Sequence, residues 1–185
     1  MKITAKTGLL LIDVQKAFDD PKWGPRNNLH AEANIGHLLS VWREKGLPVF
    51  HIRHLSRKIG SLFHPDADSC AFKPKAHPLK GEPIIEKYVN SAFIGTDLEE
   101  RLRGDGIQSL VIAGLTTDHC VSTTTRMAGN LGFDSRLLSD ATATFDREDL
   151  NGYRIPAAEV HRIHLASLHG EFTQVTDTRN LIAHL

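Results

Sequence analysis

Apolar and polar positions along the chain follow two periods in turn, and the changes of period predict a series of strands and helices. Short runs that are almost wholly apolar are typical of buried parallel strands. Such runs and related β-type patterns predict six strands, at 8–14, 48–54, 83–87, 109–113, 133–140 and 171–175. Apolar residues at helical spacing predict helices at 29–45, 97–103, 126–131 and 157–168, followed by a short last helix that Asp177 caps and that runs towards Ile182.

Strands and helices alternate along this chain, with long connections between some of them. Parallel strands joined by right-handed crossovers produce a doubly wound sheet with helices on both faces. The predicted fold class is therefore α/β, with a mostly parallel sheet of six strands. A length of 185 residues and a hydrophobic content of 41% suit one compact domain, and neither an internal repeat nor a linker divides it. We expect residues 1–185 to form a single domain.

Two segments lack the period of a strand or a helix. The first, at 15–28, is rich in proline, glycine and aromatic residues, and the second extends over 55–83. A loop as long as the second is more often functional than idle in a compact domain, although a mobile surface flap is the competing interpretation. The first segment could form a wall of a pocket, and side chains of both loops that fold over the crevice would determine the substrate.

Charge and composition argue against several classes of function. Lysine plus arginine equals aspartate plus glutamate, at 22 each, and no run of like charge occurs, so neither nucleic acid nor an anionic membrane is expected as a partner. The first residues lack the apolar core of a secretory signal, and no apolar run approaches the ~18 residues of a membrane helix, which predicts a cytoplasmic protein. In that compartment Cys70 and Cys120 are not expected to form a disulfide.

The stretch at 114–124 contains the strongest candidate for chemistry. It follows the apolar run 109–113 and leads into a helix, so it forms a strand-to-helix turn. In an open α/β sheet such turns line the crevice at the carboxyl ends of the strands. Cys120 lies at the predicted start of the helix, where the helix dipole favours a thiolate. From this turn alone, a nucleophile and a small buried apolar residue are equally good interpretations of the cysteine.

Two further polar residues lie where predicted strands end. Asp13 is near the end of the first strand and Lys87 is at the end of the third, so both should face the same crevice as Cys120. A carboxylate, an ammonium and a thiol together suit acyl transfer through a thioester. We expect the lysine to lower the pKa of the thiol, and the aspartate to take its proton and return it to the leaving amine. An ordinary Asp–Lys ion pair beside a structural cysteine is the alternative.

Three blocks of this sequence resemble the signature blocks of the isochorismatase-like cysteine hydrolases. They are 10–15 with Phe18, 86–93 and 114–124, and they occur in the family's order and spacing over nearly the whole chain. The resemblance implies a Rossmann-like three-layer sandwich around a six-stranded parallel sheet. It also implies assembly as a homodimer or homotetramer.

The same resemblance implies roles for individual residues. Asp13, Lys87 and Cys120 match the Cys-Asp-Lys catalytic triad of the family. An oxyanion hole is implied at the backbone N–H groups of Thr116 and Cys120, together with a cis peptide bond between Leu115 and Thr116.

Two comparisons within the family narrow the chemistry. Its members include nicotinamidases, carbamoylsarcosine amidases, and ureidoacrylate, biuret and streptothricin hydrolases. Isochorismatases proper have a similar fold but lack the cysteine. The presence of Cys120 therefore favours hydrolysis of an amide or ureide. Nicotinamidases carry an Asp-x-His metal-binding pattern after the second strand, but this chain has histidines at 51 and 54 and no aspartate in position. We expect no metal and no other cofactor, with adventitious binding by His51, His54 or His64 left open.

Further residues are candidates for the substrate pocket because of their places in the chain. Arg53 and His54 end the second strand, and His119 precedes the candidate nucleophile. The aromatic candidates, although such residues more often belong to the core, are Phe18, Trp23, Phe72 and Phe93. His161 and His164 are three apart on a predicted helix, and a solvated or interface pair is the preferred interpretation.

The function predicted from these residues is hydrolysis of a C–N bond, other than a peptide bond, in a small-molecule amide through a thioester on Cys120. Two alternatives remain, namely an interaction protein of the same fold without catalysis and a metal-assisted amidase of the nicotinamidase type. A dinucleotide-binding or redox protein would share the fold class. However, neither a glycine-rich phosphate turn nor a Cys-x-x-Cys pair follows any predicted strand.

Overall fold

The computed structural model of the chain describes residues 2–183. Its strands are β1 (Thr7–Ile12), β2 (Val49–His54), β3 (Ile84–Lys87), β4 (Ser109–Leu115), β5 (Asp134–Ala143), β6 (Arg147–Glu148), β7 (Arg154–Ile155) and β8 (Gln174–Thr176). Its α-helices are α1 (Ala31–Glu44), α2 (Leu98–Gly104), α3 (Ser122–Asn130), α4 (Ala157–Leu168) and α5 (Thr178–Ile182). Short 3₁₀ turns occur at Lys16–Asp19, Pro21–Trp23, Asp68–Cys70 and Pro74–Ala76, and a π-helical turn occurs at Thr117–Val121.

Six strands form one parallel sheet in the order β3-β2-β1-β4-β5-β8. The chain first extends the sheet from β1 to β3 and then returns to the other side of β1 with β4. The strand order therefore reverses between β1 and β4, and in open α/β sheets ligands bind outside the carboxyl ends of the strands at such a switch point. The predicted α/β class and six-stranded parallel sheet are confirmed.

Helices cover both faces of the sheet and enclose two apolar cores. Leu9 of β1 shares one core with Trp42 of α1, and Leu10 shares the other with Leu98 of α2. Successive residues of a strand point to opposite faces, so a strand buried on both faces is apolar throughout. Among residues 2–183, no helix combines the length and the apolar character needed to cross a membrane.

The sequence predicts some element bounds better than others. Helix α4 has the predicted bounds, whereas β5 runs to Ala143 and the last strand begins only at Gln174. The backbone N–H groups of Phe172 and Thr173 donate to the carbonyl of Leu168, so the chain is still turning out of α4 at these residues. The antiparallel hairpin of β6 and β7 is absent from the prediction because strands of two residues leave no periodic pattern.

Two backbone conformations bring β1 and β4 together at the switch point. Gly114 has a φ of 131°, and a Cβ atom there would lie 2.0 Å from the carbonyl oxygen of Ile12, so only glycine fits. Asp13 has a φ of 51°, which lies in the left-handed region that residues other than glycine rarely adopt in proteins. The chain thus turns sharply at Asp13 as it leaves β1.

A cluster of ion pairs, formed by Asp19, Arg26, Glu32 and Lys73, joins both irregular segments to α1. The Lys73 Nζ atom is 2.6 Å from Asp19 Oδ1 and 2.7 Å from Glu32 Oε1, although Lys73 is only 6% exposed. Arg26 forms a second ion pair with Glu32 at 2.8 Å. Although burial opposes it, hydrogen bonds from Arg26 and Lys73 lower the pKa of Glu32 to about 2. This ion cluster connects segments 15–28 and 55–83, which flank the crevice.

Candidate active site

The carboxyl ends of β1, β3 and β4 bring Asp13, Lys87 and Cys120 into contact. The Nζ atom of Lys87 is 2.6 Å from Asp13 Oδ2 and 3.3 Å from Cys120 Sγ. The side chains of Asp13 and Lys87 are completely buried, and Cys120 is 8% exposed. The structure therefore places at the switch point the three residues for which the sequence predicts a common crevice.

The two oxygens of the Asp13 carboxylate differ in their hydrogen bonding. The Oδ2 atom accepts a hydrogen bond from Lys87, whereas Oδ1 is buried and has no hydrogen-bond partner within residues 2–183. A carboxylate oxygen of Asp13 and Cys120 Sγ lie within 4.8 Å of each other. Buried polar atoms are usually paired, so an unpaired carboxylate oxygen beside a thiol is a candidate proton acceptor.

Cys120 lies in the π-helical turn Thr117–Val121, and α3 begins two residues later. Burial raises the pKa of its thiol, the Asp13 carboxylate raises it further, and the Lys87 ammonium opposes both without compensating. Lys87 therefore lowers the pKa of the thiol as expected, but burial and the Asp13 carboxylate outweigh it, so the net shift is upward. The physical reason is that Asp13 already neutralises Lys87, so that a thiolate would add a net negative charge to a buried site.

The turn before Cys120 contains the cis peptide bond that the resemblance implies, between Leu115 and Thr116. The carbonyl of Thr116 accepts hydrogen bonds from the N–H groups of His119 at 3.2 Å and Val121 at 3.1 Å. Leu115 is completely buried, whereas Thr116 and Cys120 both line a cavity. The backbone N–H groups of these two residues are therefore candidates for binding an oxyanion there.

Helix α4 supports this turn through His161. Its Nδ1 atom is 2.8 Å from Thr117 Oγ1, and the residue is 8% exposed. Burial lowers the pKa of His161. The interpretation of His161 as half of a solvated or interface pair is wrong, because α4 packs against the turn with this side chain inside.

The cavity beside Cys120 has a volume of about 140 Å³. Its lining consists of Asp13, Phe18, Trp23, His54, Phe63, Asn90, Thr116, His119, Cys120 and Arg147. Four of these, Phe18, Trp23, His54 and His119, are among the pocket residues predicted from the sequence. Phe18 packs against Trp23 and Phe63, with ring centroids 5.5 Å and 5.2 Å apart, so that aromatic rings form one wall.

Three predicted pocket residues, Arg53, Phe72 and Phe93, do not line this cavity. Arg53 and His54 are successive strand residues and point to opposite faces, so only His54 reaches the crevice. Arg53 instead lies over the ring of Phe72, with Cζ 5.9 Å from the centroid. Phe93 stacks on Phe133 at 6.1 Å and packs against the core.

Sequence reasoning missed three residues of the cavity, namely Phe63, Asn90 and Arg147. Asn90 belongs to the block 86–93, which resembles a signature block of the family, so this resemblance could have identified it. Its Oδ1 atom is 3.8 Å from Cys120 Sγ. Phe63 and Arg147 come from segments without periodic pattern. Arg147 Nε donates a hydrogen bond of 2.7 Å to Asp118 Oδ2. Burial alone would raise the pKa of Asp118, but the hydrogen bond from Arg147 keeps this pKa below its usual value.

Within residues 2–183, one group of three histidine, cysteine or acidic side chains is compact enough to share a metal ion. It consists of Asp13, His54 and Cys120. The Nζ atom of Lys87 contacts an atom of each, at 2.6, 3.0 and 3.3 Å. The cation that these side chains surround is therefore an ammonium, and the group does not fit a metal site.

The other two histidines considered for adventitious metal binding have different partners. His51 Nε2 is 2.8 Å from Glu82 Oε2, and burial lowers the pKa of His51. His64 Nδ1 is 3.6 Å from Asp66 Oδ2 in the long segment. Neither belongs to a group of three such side chains in the described part of the chain.

Several known proteins are similar to this chain in sequence and in fold. Residues 7–179 match the isochorismatase domain. The chain is 55% identical to the isochorismatase family protein YrdC of Bacillus subtilis (strain 168) over 177 residues, 96% of this chain and 95% of that one. It is 29% identical to nicotinamidase 3 of Arabidopsis thaliana over 153 residues, 76% of this chain and 74% of that one. A crystal structure of a hydrolase of the isochorismatase family from Chromobacterium violaceum has a TM-score of 0.96 at 47% identity, covering 100% of this chain and 96% of that one.

The doubly wound parallel sheet and these similarities define the class of protein, a hydrolase of the isochorismatase fold. The match over residues 7–179 and the identity of 55% along nearly the whole chain then assign the family. The chain belongs to the isochorismatase family.

Proposed function

We propose that the protein hydrolyses the C–N bond of a small-molecule amide or ureide, other than a peptide bond, through a thioester on Cys120. One observation carries the proposal: Lys87 lies within hydrogen-bonding distance of Asp13 and Cys120, while the second oxygen of Asp13 has no donor within residues 2–183. An Asp–Lys pair with only a structural role gains nothing from an unpaired carboxylate oxygen beside a thiol. The similarity to a nicotinamidase supports an amide as the substrate class.

In the acylation half of the reaction, Asp13 Oδ1 accepts the thiol proton while Cys120 Sγ bonds to the carbonyl carbon. The carbonyl oxygen becomes an oxyanion, and the N–H groups of Thr116 and Cys120 donate to it, each contributing about 3–4 kcal/mol. The carboxylic acid of Asp13 then transfers its proton to the amine nitrogen. The C–N bond breaks, the amine leaves, and an acyl thioester remains on Cys120.

In the deacylation half, a water molecule attacks the thioester carbonyl while Asp13 accepts one of its protons. The C–S bond breaks, and the Lys87 ammonium stabilises the departing sulfur anion. Asp13 returns the proton to the sulfur, so that the site regains its thiol and its carboxylate. Because the raised pKa keeps the resting cysteine protonated, deprotonation is coupled to attack on a bound carbonyl.

The cavity limits the size of the acyl group. Its volume of about 140 Å³ is close to the roughly 150 Å³ of a cavity that holds one benzene molecule, so an acyl group of roughly six non-hydrogen atoms fits. The rings of Phe18, Trp23 and Phe63 offer it apolar contact, and Asn90 and Arg147 offer polar contact. We therefore infer a substrate with a compact acyl group.

The test measures ammonia release from a panel of small primary amides and ureides. We expect turnover by the wild-type protein and none by Cys120→Ala, because this change removes the nucleophile. The control Cys70→Ala changes the other cysteine and should keep the activity. Mass spectrometry after rapid quenching should find the acyl group on the peptide that contains Cys120.

Each other outcome of this test identifies a different function. Full hydrolysis by Cys120→Ala would refute the thioester route. Reversible loss of activity with a chelator, restored by a divalent ion, would favour a metal-assisted amidase. Absence of turnover by the folded wild-type protein across the panel would favour an interaction protein without catalysis.

A further inference from the structure

His54 and Lys87 are neighbours because of the strand register. They are paired at the carboxyl ends of β2 and β3, so that their side chains leave the sheet side by side. His54 Nδ1 is 3.0 Å from Lys87 Nζ. An ammonium has no lone pair, so the lysine donates this hydrogen bond and Nδ1 accepts it.

The contact with His54 completes the hydrogen bonding of a buried ammonium. Lys87 has three N–H groups, and its Nζ atom is 2.6 Å from Asp13 Oδ2, 3.0 Å from His54 Nδ1 and 3.3 Å from Cys120 Sγ. The ammonium is tetrahedral, so two directed N–H groups fix the direction of the third. Asp13 and His54 together therefore aim one N–H group at the sulfur.

The surroundings of His54 hold its ring in this position. Gln15 clamps its backbone, because Gln15 Oε1 accepts from the His54 N–H at 2.8 Å and Gln15 Nε2 donates to the His54 carbonyl at 3.0 Å. The ring of Phe63 packs edge-on against the imidazole, with centroids 5.2 Å apart. Both contacts fix the imidazole on the side of the ammonium.

The acceptor role requires an imidazole without a proton on Nδ1. Burial lowers the pKa of His54, the Lys87 charge lowers it further, and the Asp13 charge opposes both. The titratable or charged groups that face the ring are Lys87, Asp13 and Cys120, and the Cys70 thiol lies 3.9 Å from the His54 carbonyl. The neutral form therefore predominates near neutral pH.

We propose that neutral His54 is a positioning residue, which orients the Lys87 ammonium so that one N–H group points at Cys120 Sγ. This inference rests on the proposed function, since its benefit is the stabilisation of negative charge on the sulfur. A protonated His54 can no longer accept from Lys87, and it places a second positive charge beside the ammonium. Both effects impair the site at acidic pH.

The test compares two substitutions of this histidine. His54→Leu removes the acceptor and should lower kcat, with a smaller effect on KM, by about 10-fold to 100-fold, the range that corresponds to one hydrogen bond to a charged group. His54→Asn places an amide oxygen near the position of Nδ1 and cannot titrate, so it should retain most of the activity. Its kcat/KM should also persist to lower pH than that of the wild-type protein. His37→Asn, at an exposed histidine of α1, is the matched control and should leave activity and pH profile unchanged.

A second readout does not depend on amide turnover. The rate at which iodoacetamide alkylates Cys120 at fixed pH reports the stabilisation of the thiolate, so it should fall in His54→Leu and recover in His54→Asn. This pattern in a protein that hydrolyses no amide would refute the proposed function and leave the positioning role intact. Wild-type activity and alkylation in folded His54→Leu, or equal impairment of the two variants with an unchanged pH profile, would overturn the positioning role.

Discussion

At the scale of single residues, Asp13 has two opposite effects on Cys120. In the proposed reaction its carboxylate accepts the thiol proton, which promotes the attack. In the resting site its charge raises the pKa of the thiol, beyond the effect of burial, which keeps the nucleophile protonated. A base that also opposes the free thiolate confines activation to the moment when a carbonyl is in place.

The substitution Asp13→Asn should separate these two effects. Turnover should fall by about 10²-fold to 10⁴-fold, because a positioned proton acceptor is lost. Alkylation of Cys120 by iodoacetamide near neutral pH should instead become faster than in the wild-type protein, because the opposing charge is gone while Lys87 remains. Mass spectrometry of both cysteines over a range of pH measures these rates.

Cys70 is the internal reference for this experiment, since it is buried and burial raises the pKa of its thiol. Its alkylation rate should be the same in Asp13→Asn as in the wild-type protein, because the charges that act on its thiol are those of Arg53 and Glu86. Asp105→Asn, at an exposed aspartate after α2, should change neither turnover nor alkylation. If Asp13→Asn slowed alkylation as strongly as turnover, the carboxylate would be favouring the thiolate, contrary to our account.

At the scale of elements, the ion cluster of Asp19, Arg26, Glu32 and Lys73 determines where the cavity walls lie. It joins the segment that carries Phe18 and Trp23 to α1 and to the long segment 55–83. Its ion pairs hold together two segments that contain short 3₁₀ turns but neither a strand nor an α-helix. The cluster therefore contributes to stability and to the shape of the cavity.

Removing the carboxylate at the centre of the cluster should destabilise the fold. We expect Glu32→Gln to lower the free energy of unfolding by about 1–3 kcal/mol at neutral pH, because Lys73 and Arg26 lose their shared acceptor. The folded-state pKa of Glu32 is about 2, against an ordinary value of 4.5. A lowered pKa stabilises the folded state above the unfolded-state value, and this contribution is lost as the pH falls from 4.5 towards 2.

Denaturant unfolding at several pH values measures this effect. The difference between the wild-type protein and Glu32→Gln should be constant above about pH 5 and shrink below it. Glu99→Gln, which breaks the exposed ion pair with Arg103 on α2, is the matched control and should cost less than about 0.5 kcal/mol. A destabilisation by Glu32→Gln that is as small as the control's would show that the cluster contributes nothing measurable.

At the scale of the whole molecule, exposed apolar side chains indicate where copies of the chain could associate. Leu150 is fully exposed and Tyr153 is 71% exposed, both in the connection between β6 and β7. Large exposed apolar side chains are typical of interaction surfaces when they cluster. We propose that this hairpin contributes to the homodimer or homotetramer that the family resemblance implies.

The substitution Leu150→Asp should shift the protein towards the monomer, because a charge would have to be buried on association. Sedimentation velocity at several protein concentrations measures the shift. Ile59→Asp introduces the same charge at another exposed apolar residue and should leave the assembly unchanged. A monomeric wild-type protein, or an equal shift in both variants, would remove this hairpin from the interface.

The sequence by itself determined the order of the elements, the fold class and the meeting of three reactive groups. Strands that are buried on both faces must be apolar throughout, which makes them visible as runs such as 109–113. Parallel strands all present their carboxyl ends at the same edge of the sheet. Asp13, Lys87 and Cys120 each end or follow a strand, so strand polarity alone predicts that they lie near one another.

Only the tertiary structure decided which side chains face the cavity and how their charges act on each other. Arg53 and His54 are adjacent in sequence, and the register of β2 with β3 selects His54 as the partner of Lys87. Arg147 and Phe63 reach the cavity from segments whose path no periodic pattern describes. Whether the pKa of Cys120 is raised or lowered depends on burial and on two opposite charges at short distances. Burial and these distances exist only once the chain has folded.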